Sequence, residues 1–195
     1  MPSTSSSKRF PLLAVVASLV VATAVWKLLA SGVGAGGGYA DGRDLNGGTQ
    51  SGVTVFYDQA RIGSEFWVSL PQVSNSADRP LSLTKARVTR VPRGLKVVEY
   101  RAVSVKDMGG HAMAMRTGGR GGMPDPEKLH DYAGQPIRVK PKSVSDYYYM
   151  ARIRVTAPVR ENLTGCRFWY HQGKTAYRQD LDCDTEIRLG PPAKD

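Results

Sequence analysis

Two hydrophobic rhythms divide the chain. From Phe10 to Ala30 apolar residues follow one another with Lys27 as the single charge, whereas from Val53 to Leu189 they recur mostly at every second position. Alternation with one polar face is the mark of half-buried antiparallel strands. It is clear in Phe66, Val68 and Leu70 against Trp67 and Ser69, and in Tyr147, Tyr149, Ala151, Ile153 and Val155 against Tyr148, Met150, Arg152 and Arg154. Leu181, Cys183, Ile187 and Leu189 likewise alternate with Asp182, Asp184, Glu186 and Arg188. The pattern predicts about eight strands, near 53–58, 64–71, 81–91, 95–105, 136–141, 147–157, 165–171 and 180–189. The stretches from Asn75 to Pro80 and from Val91 to Gly94 read as turns. Parity slips between Leu83 and Ala86 and again around Val97-Val98, which predicts bulges or strand corners. No amphipathic helix of useful length appears after Ala30. The expected fold is therefore all-β, an immunoglobulin-like antiparallel sandwich preceded by one N-terminal transmembrane helix.

The apolar run sets the address. Its length as a helix, roughly 30 Å, matches the hydrocarbon core of a bilayer. Pro11 suits a first helical turn, and Trp26 with Lys27 suits an interface. Lys8 and Arg9 before the run argue for a cytoplasmic N-terminus over residues 1–9, an anchor over 10–30 and an extracytoplasmic remainder. A cleaved signal peptide, which leaves a secreted domain, is the alternative: Ala22-Thr23-Ala24 and Val33-Gly34-Ala35 carry small residues at a suitable spacing. The run exceeds a typical signal-peptide core, which favours the anchor. No lipid-attachment cysteine follows it, because the first cysteine is Cys166.

Residues 31–52 hold nine glycines in 22 positions and few large apolar side chains, so they are expected to form a flexible tether. Residues 53–190 then make one domain of ordinary size, followed by a short tail over 191–195.

Cys166 and Cys183 are the two cysteines, and both fall on the inward face of their strands. An oxidising compartment predicts a bond between them. A tight turn at Gln172-Gly173 would set Cys166 opposite Gln179 and leave Cys183 too far along. The spacing therefore predicts either a wide loop over 172–179 or cysteines on strands that are not simple hairpin partners. No Cys-x-x-Cys spacing or thiolate activator points to redox work.

Charge narrows the partners. The chain carries a net charge of +10, and setting aside Lys8, Arg9 and Lys27 leaves 24 basic against 17 acidic residues. Such a surplus keeps outer faces soluble and draws a domain toward anionic headgroups or wall polymers. The basic residues are scattered over several strands, which argues against nucleic acid.

The stretch between the fourth and fifth predicted strands holds Met108, Met113, Met115 and Met123, four of the six methionines. In an extended segment His111, Met113 and Met115 project to one side, a soft ligand set suited to Cu(I). This His-x-Met core resembles that of periplasmic copper chaperones of cupredoxin-like fold. The resemblance covers these few residues and implies copper held by His111, Met113 and Met115, with Met123, Met108 or His130 completing the set. The structural alternative is an edge segment that packs methionines as gap-fillers.

Catalytic signatures are missing. His111, His130 and His171 sit in different parts of the domain with no nucleophile motif nearby. Asp180, Asp182, Asp184 and Glu186 share one strand face, which reads as solvated. Asn162-Leu163-Thr164 matches a glycosylation acceptor that matters only in a eukaryotic secretory pathway.

Three segments carry a wider likeness: Asn75-Ser76-Ala77-Asp78-Arg79-Pro80-Leu81-Ser82-Leu83, Val91-Pro92-Arg93-Gly94-Leu95, and Gly165-Cys166-Arg167-Phe168-Trp169-Tyr170 with the later Cys183. With these, the chain resembles small membrane-anchored secreted proteins of high-GC Gram-positive bacteria. The resemblance implies location and fold and no activity. The expectation is a non-enzymatic binding module with an extracytoplasmic protein or anionic cell-wall polymer as partner. A copper-handling protein is the rival.

Overall fold

The computed structural model describes residues 38–48, 51, 54–110, 115–116 and 124–191. The expected membrane helix over 10–30 and the cytoplasmic residues 1–9 lie outside the described residues. Among those described, no helix is long and apolar enough to cross a membrane.

The strands, in chain order, are β1 (Ala40–Asp41), β2 (Leu45–Asn46), β3 (Thr54–Ala60), β4 (Glu65–Ser69), β5 (Ser74–Asn75), β6 (Leu81–Arg90) and β7 (Leu95–Ser104). They continue with β8 (Met115–Arg116), β9 (Ile137–Val139), β10 (Ser143–Val144), β11 (Tyr147–Val155), β12 (Leu163–Gln172) and β13 (Thr175–Leu189). The eight expected strands correspond to β3, β4, β6, β7, β9, β11, β12 and β13. The five additions are two-residue pairings, too short to leave a periodic signal.

One sheet runs β1-β13-β12-β6-β9, with β3 lying parallel along the second half of β13. The other runs β7-β11-β4-β8, and a small third sheet runs β10-β5-β2. The two large sheets face one another in a sandwich-like arrangement. Leu83, Val88, Phe168 and Tyr170 from the first meet Phe66, Val68, Ala151 and Ile153 from the second in one core. Tyr149 and Phe168 touch edge to face across it at 6.4 Å. Both expected parity slips are bulges: Thr84 is the extra residue where β6 passes β12, and Val98 where β7 passes β11. Each restores the apolar residues to the core side after an interruption.

The tether expected over 31–52 is too long, because residues 38–48 belong to the domain. Ala40 and Asp41 pair in parallel with Tyr177 and Arg178, and Leu45 is buried. The Gln179 side chain accepts from Leu45 N–H at 2.9 Å and donates to Leu45 C=O at 2.7 Å, acting as a substitute strand. One buried leucine and these borrowed hydrogen bonds offset the ordering entropy of a glycine-rich segment.

The cysteines are bonded, and their geometry corrects the expected alternatives. The β12–β13 turn is tight, centred on Gly173-Lys174, and Cys166 stands opposite Leu181. Between the pairs Thr164–Asp184 and Cys166–Leu181, β12 spends one residue, Gly165, where β13 spends two, Asp182 and Cys183. This bulge draws Cys183 back to a Cα–Cα distance of 5.8 Å from Cys166. Simple hairpin partners can therefore bond once a bulge shortens the diagonal. Gly165 holds φ +72°, and a Cβ there would run into Thr89 Oγ1. Gly165→Ala is expected to lower stability by about 1–3 kcal/mol, read as a drop in urea midpoint; an unchanged midpoint would show that the bulge tolerates a side chain.

Candidate functional site

The two outer faces of the sandwich differ. On the second sheet, Trp67, Val103, Tyr148 and Met150 point away from the main core, yet all are fully buried with Met108. This corrects the expected solvated faces of β4 and β11. Val105 and Met108, just after β7, and Leu129 farther on pack against them as an apolar cover.

Charge pins that cover down. The guanidinium groups of Arg101 and Arg152 lie over the Trp67 ring, 5.9 and 5.8 Å from its centroid. Arg152 Nη2 donates to Glu99 Oε2 at 3.0 Å and Nη1 to Glu127 Oε1 at 3.1 Å, with Glu65 Oε2 at 3.4 Å. Arg101 Nε donates to Glu99 Oε1 at 3.0 Å. Its Nη1 reaches the carbonyls of Pro126 and Glu127, which close the 3-10 turn Pro126–Lys128. Asp131 Oδ1 accepts from Ala102 N–H, and Tyr132 N–H donates to Ala102 C=O, which seals part of the edge of β7. Such half-buried ion pairs add little net stability as a set, but each leaves an uncompensated charge when its partner is removed.

Burial also shifts the phenols beneath. It pushes Tyr148 and Tyr149 well above the ordinary tyrosine range, with Asp131 adding to the effect at Tyr149. Tyr100 and Tyr170 move the same way, burial again the larger cause. A phenol kept neutral in the fold contributes stability that is complete below its unfolded pKa of about 10 and is lost as pH climbs above it. Alkaline unfolding that releases a late step of phenolate absorbance is therefore expected. Full ionisation of all nine tyrosines near pH 10 with the fold intact would contradict it.

The outer face of the first sheet is different in kind. Cross-strand register sets Arg178 of β13, Trp169 of β12 and Lys85 of β6 in one row. Asp180, Arg167 and Arg87 form the next row, and Ala176, His171, Ser82 and Arg138 of β9 the row on the other side. Lys85 Nζ sits 4.9 Å from the Trp169 ring centroid, and Tyr39 meets the same ring edge-on at 6.4 Å. Arg167 pairs with Asp180 at 2.6 and 2.8 Å and holds its carboxyl below the usual range. Arg178 reaches Asp41 at 3.5 Å. Beyond the bulge the face turns acidic, with Asp182, Asp184 and Glu186.

Comparisons with protein-family models, curated proteins and solved structures find no match. The chemistry of these faces has to be read on its own terms. Of the copper candidates, His111, Met113 and Met123 lie outside the described residues. The backbone of Met115 pairs with Trp67 at the edge of the second sheet. Met108 is a core residue, and His130 is exposed with its ring 4.5 Å from that of Tyr132. Among the described residues no three His, Cys, Asp or Glu side chains cluster as a metal site.

Three of the four β13 carboxylates are engaged singly: Asp180 by Arg167, Asp184 by Asn162 Nδ2 at 2.8 Å, Glu186 by Arg188 at 3.3 Å. A cleft of about 480 Å³ beside the disulfide is lined by Asp182, Thr54, Thr89 and Arg90, with no histidine in its wall. Sequence reasoning missed the Trp169 row. The signal was there: Phe168 and Tyr170 read as inward, so Trp169 between Arg167 and His171 had to point out.

Proposed function

We propose that the chain is a non-enzymatic binding module, anchored in the membrane by Phe10–Ala30, with its domain on the extracytoplasmic side. The observation that supports it is the inequality of the two outer faces. One is closed by a segment of the chain itself, while the other presents Trp169, Tyr39 and a set of cations on a rigid sheet. An exposed aromatic flanked by long basic side chains is the kind of surface that recognition uses. The disulfide fits an oxidising compartment.

The connectivity supports an immunoglobulin-like reading. The order β7-β11-β4 matches D-E-B of that fold and β6-β12-β13 matches C-F-G. Here the disulfide joins the F-like and G-like strands within one sheet and does not cross between sheets as in antibody domains.

Photo-crosslinkers placed in the full chain at Ala176, on the open face, and at Lys128, on the closed one, test the reading in intact cells. Adducts from Ala176 and none from Lys128 are expected; the reverse pattern overturns it. Protease added to intact cells is expected to cut the domain, and full protection would remove the extracytoplasmic assignment. Cu(I) uptake by the full chain that disappears in a His111→Ala, Met113→Ala variant is the result that favours copper handling instead.

A further inference from the structure

We infer that the Trp169 face is a site for an anionic polysaccharide, with Lys85 and Arg138 as its counter-charges and Trp169 with Tyr39 as its aromatic corner. This rests on the binding-module reading and names the ligand class.

Charge bookkeeping along the sheet carries the argument. Within the three rows around Trp169, Arg167 and Arg178 already have carboxylate partners in Asp180 and Asp41. Among the described residues, Lys85, Arg87 and Arg138 have no carboxylate partner, and all three are exposed. Lys85 is instead laid against the Trp169 ring, whereas Arg87 lies against Tyr100 of β7 in the other sheet at 5.7 Å. A cation held over an aromatic ring keeps its charge while losing part of its hydration and rotamer freedom. It is thereby prepared for an anion at lower cost than a freely solvated lysine.

The spacing suits a polymer. Lys85 stands one strand from Trp169 and Arg138 two strands away, so at about 4.8 Å per strand the ring and the two cations together span roughly 10 Å of a fixed lattice. Negative groups repeated along a chain can meet several of them at once.

The aromatic geometry separates a sugar from a bilayer. Tyr39 and Trp169 stand edge to face with their planes 71° apart, which forms an apolar corner for the C–H face of a sugar ring. A membrane-docking face needs apolar side chains that project and insert. The strongly exposed apolar residues Phe56, Ile62 and Val144 lie outside the three rows around Trp169. Asp182 and Asp184, farther along β13, would repel anionic headgroups spread over the whole surface.

The test titrates the full-length protein with oligogalacturonate, with uncharged dextran and with vesicles containing anionic lipid. Oligogalacturonate is expected to bind, to perturb the Trp169 indole resonance, and to release as salt rises and the Debye length shrinks. The Lys85→Gln variant should bind about tenfold more weakly, the scale of one lost charge-assisted contact. Its thermal midpoint should stay close to the parent's, because the side chain is exposed. Equal affinity for dextran, binding indifferent to the variant, or binding to vesicles alone overturns the assignment. If oligogalacturonate fails while Ala176 still crosslinks to a surface protein, the ligand class falls and the binding module stands. If both fail, both readings fall together.

Discussion

Trp67→Ala is expected to cost about 3–5 kcal/mol, the scale of emptying a large buried aromatic site. The residue is fully buried although it faces away from the main core, so the loss falls on one interface. Removing the indole strips the floor beneath Arg101 and Arg152 and leaves a cavity under the segment that carries Met108 and Leu129. Two readouts should move together: the denaturant midpoint falls, and proteolysis appears within residues 105–110 or 124–132 before the rest of the domain opens. Trp169→Ala, on the half-exposed face, should cost much less. A small loss at Trp67 with no new cleavage would mean that the covering segment is held by its ion pairs and not by the buried ring. Trp67 Nε1 has no hydrogen-bond partner among the described residues, so Trp67→Phe should retain most of the stability.

The second large effect belongs to the disulfide. Cys166 and Cys183 are 17 positions apart, and closing a loop of that size contributes about 3 kcal/mol by restricting the unfolded chain. A reductant should lower the unfolding free energy of the parent by that amount, with a matching fall in midpoint, and leave a Cys166→Ala, Cys183→Ala variant where it already is. An oxidised and reduced parent of equal midpoint would sink the claim. The hairpin itself should survive reduction, since nine residue pairs of β12 and β13 hold it independently of sulfur.

How much of this was legible depended on the range of the contacts. Alternation located β3, β4, β6, β7, β11, β12 and β13 because a half-buried strand writes its period into its own residues. The bulges at Thr84 and Val98 were legible for the same reason, as a local break in parity. The second core was not, because what buries Tyr148 and Met150 is a segment remote in sequence, and no local pattern states which face another segment will cover. Docking of residues 38–48 escaped notice because Gln179, far along the chain, supplies the hydrogen bonds that a glycine-rich composition lacks. The disulfide was foreseen, but its register was not: a single positive-φ glycine, Gly165, admits the bulge that brings Cys183 into reach. The face around Trp169 could have been read from parity alone, and its charge pairing could not, because Asp41 and Asp180 reach the arginines from different strands.

The position of β13 sets an order of events during folding. Both β1 and β3, among the first strands to leave the ribosome, find their partner in this last strand: Ala40 beside Tyr177, Thr54 beside Asp184. Neither can settle until the C-terminal hairpin has emerged, because contacts so distant in the chain bring no return before their loop is closed. A chain that emerges N-terminus first therefore waits, with its early strand edges unpaired, until β13 has formed. Truncation before Asp184 would leave β3 without its partner edge and uncover the half-buried Val55 and Tyr57 beside the already exposed Phe56, an aggregation hazard.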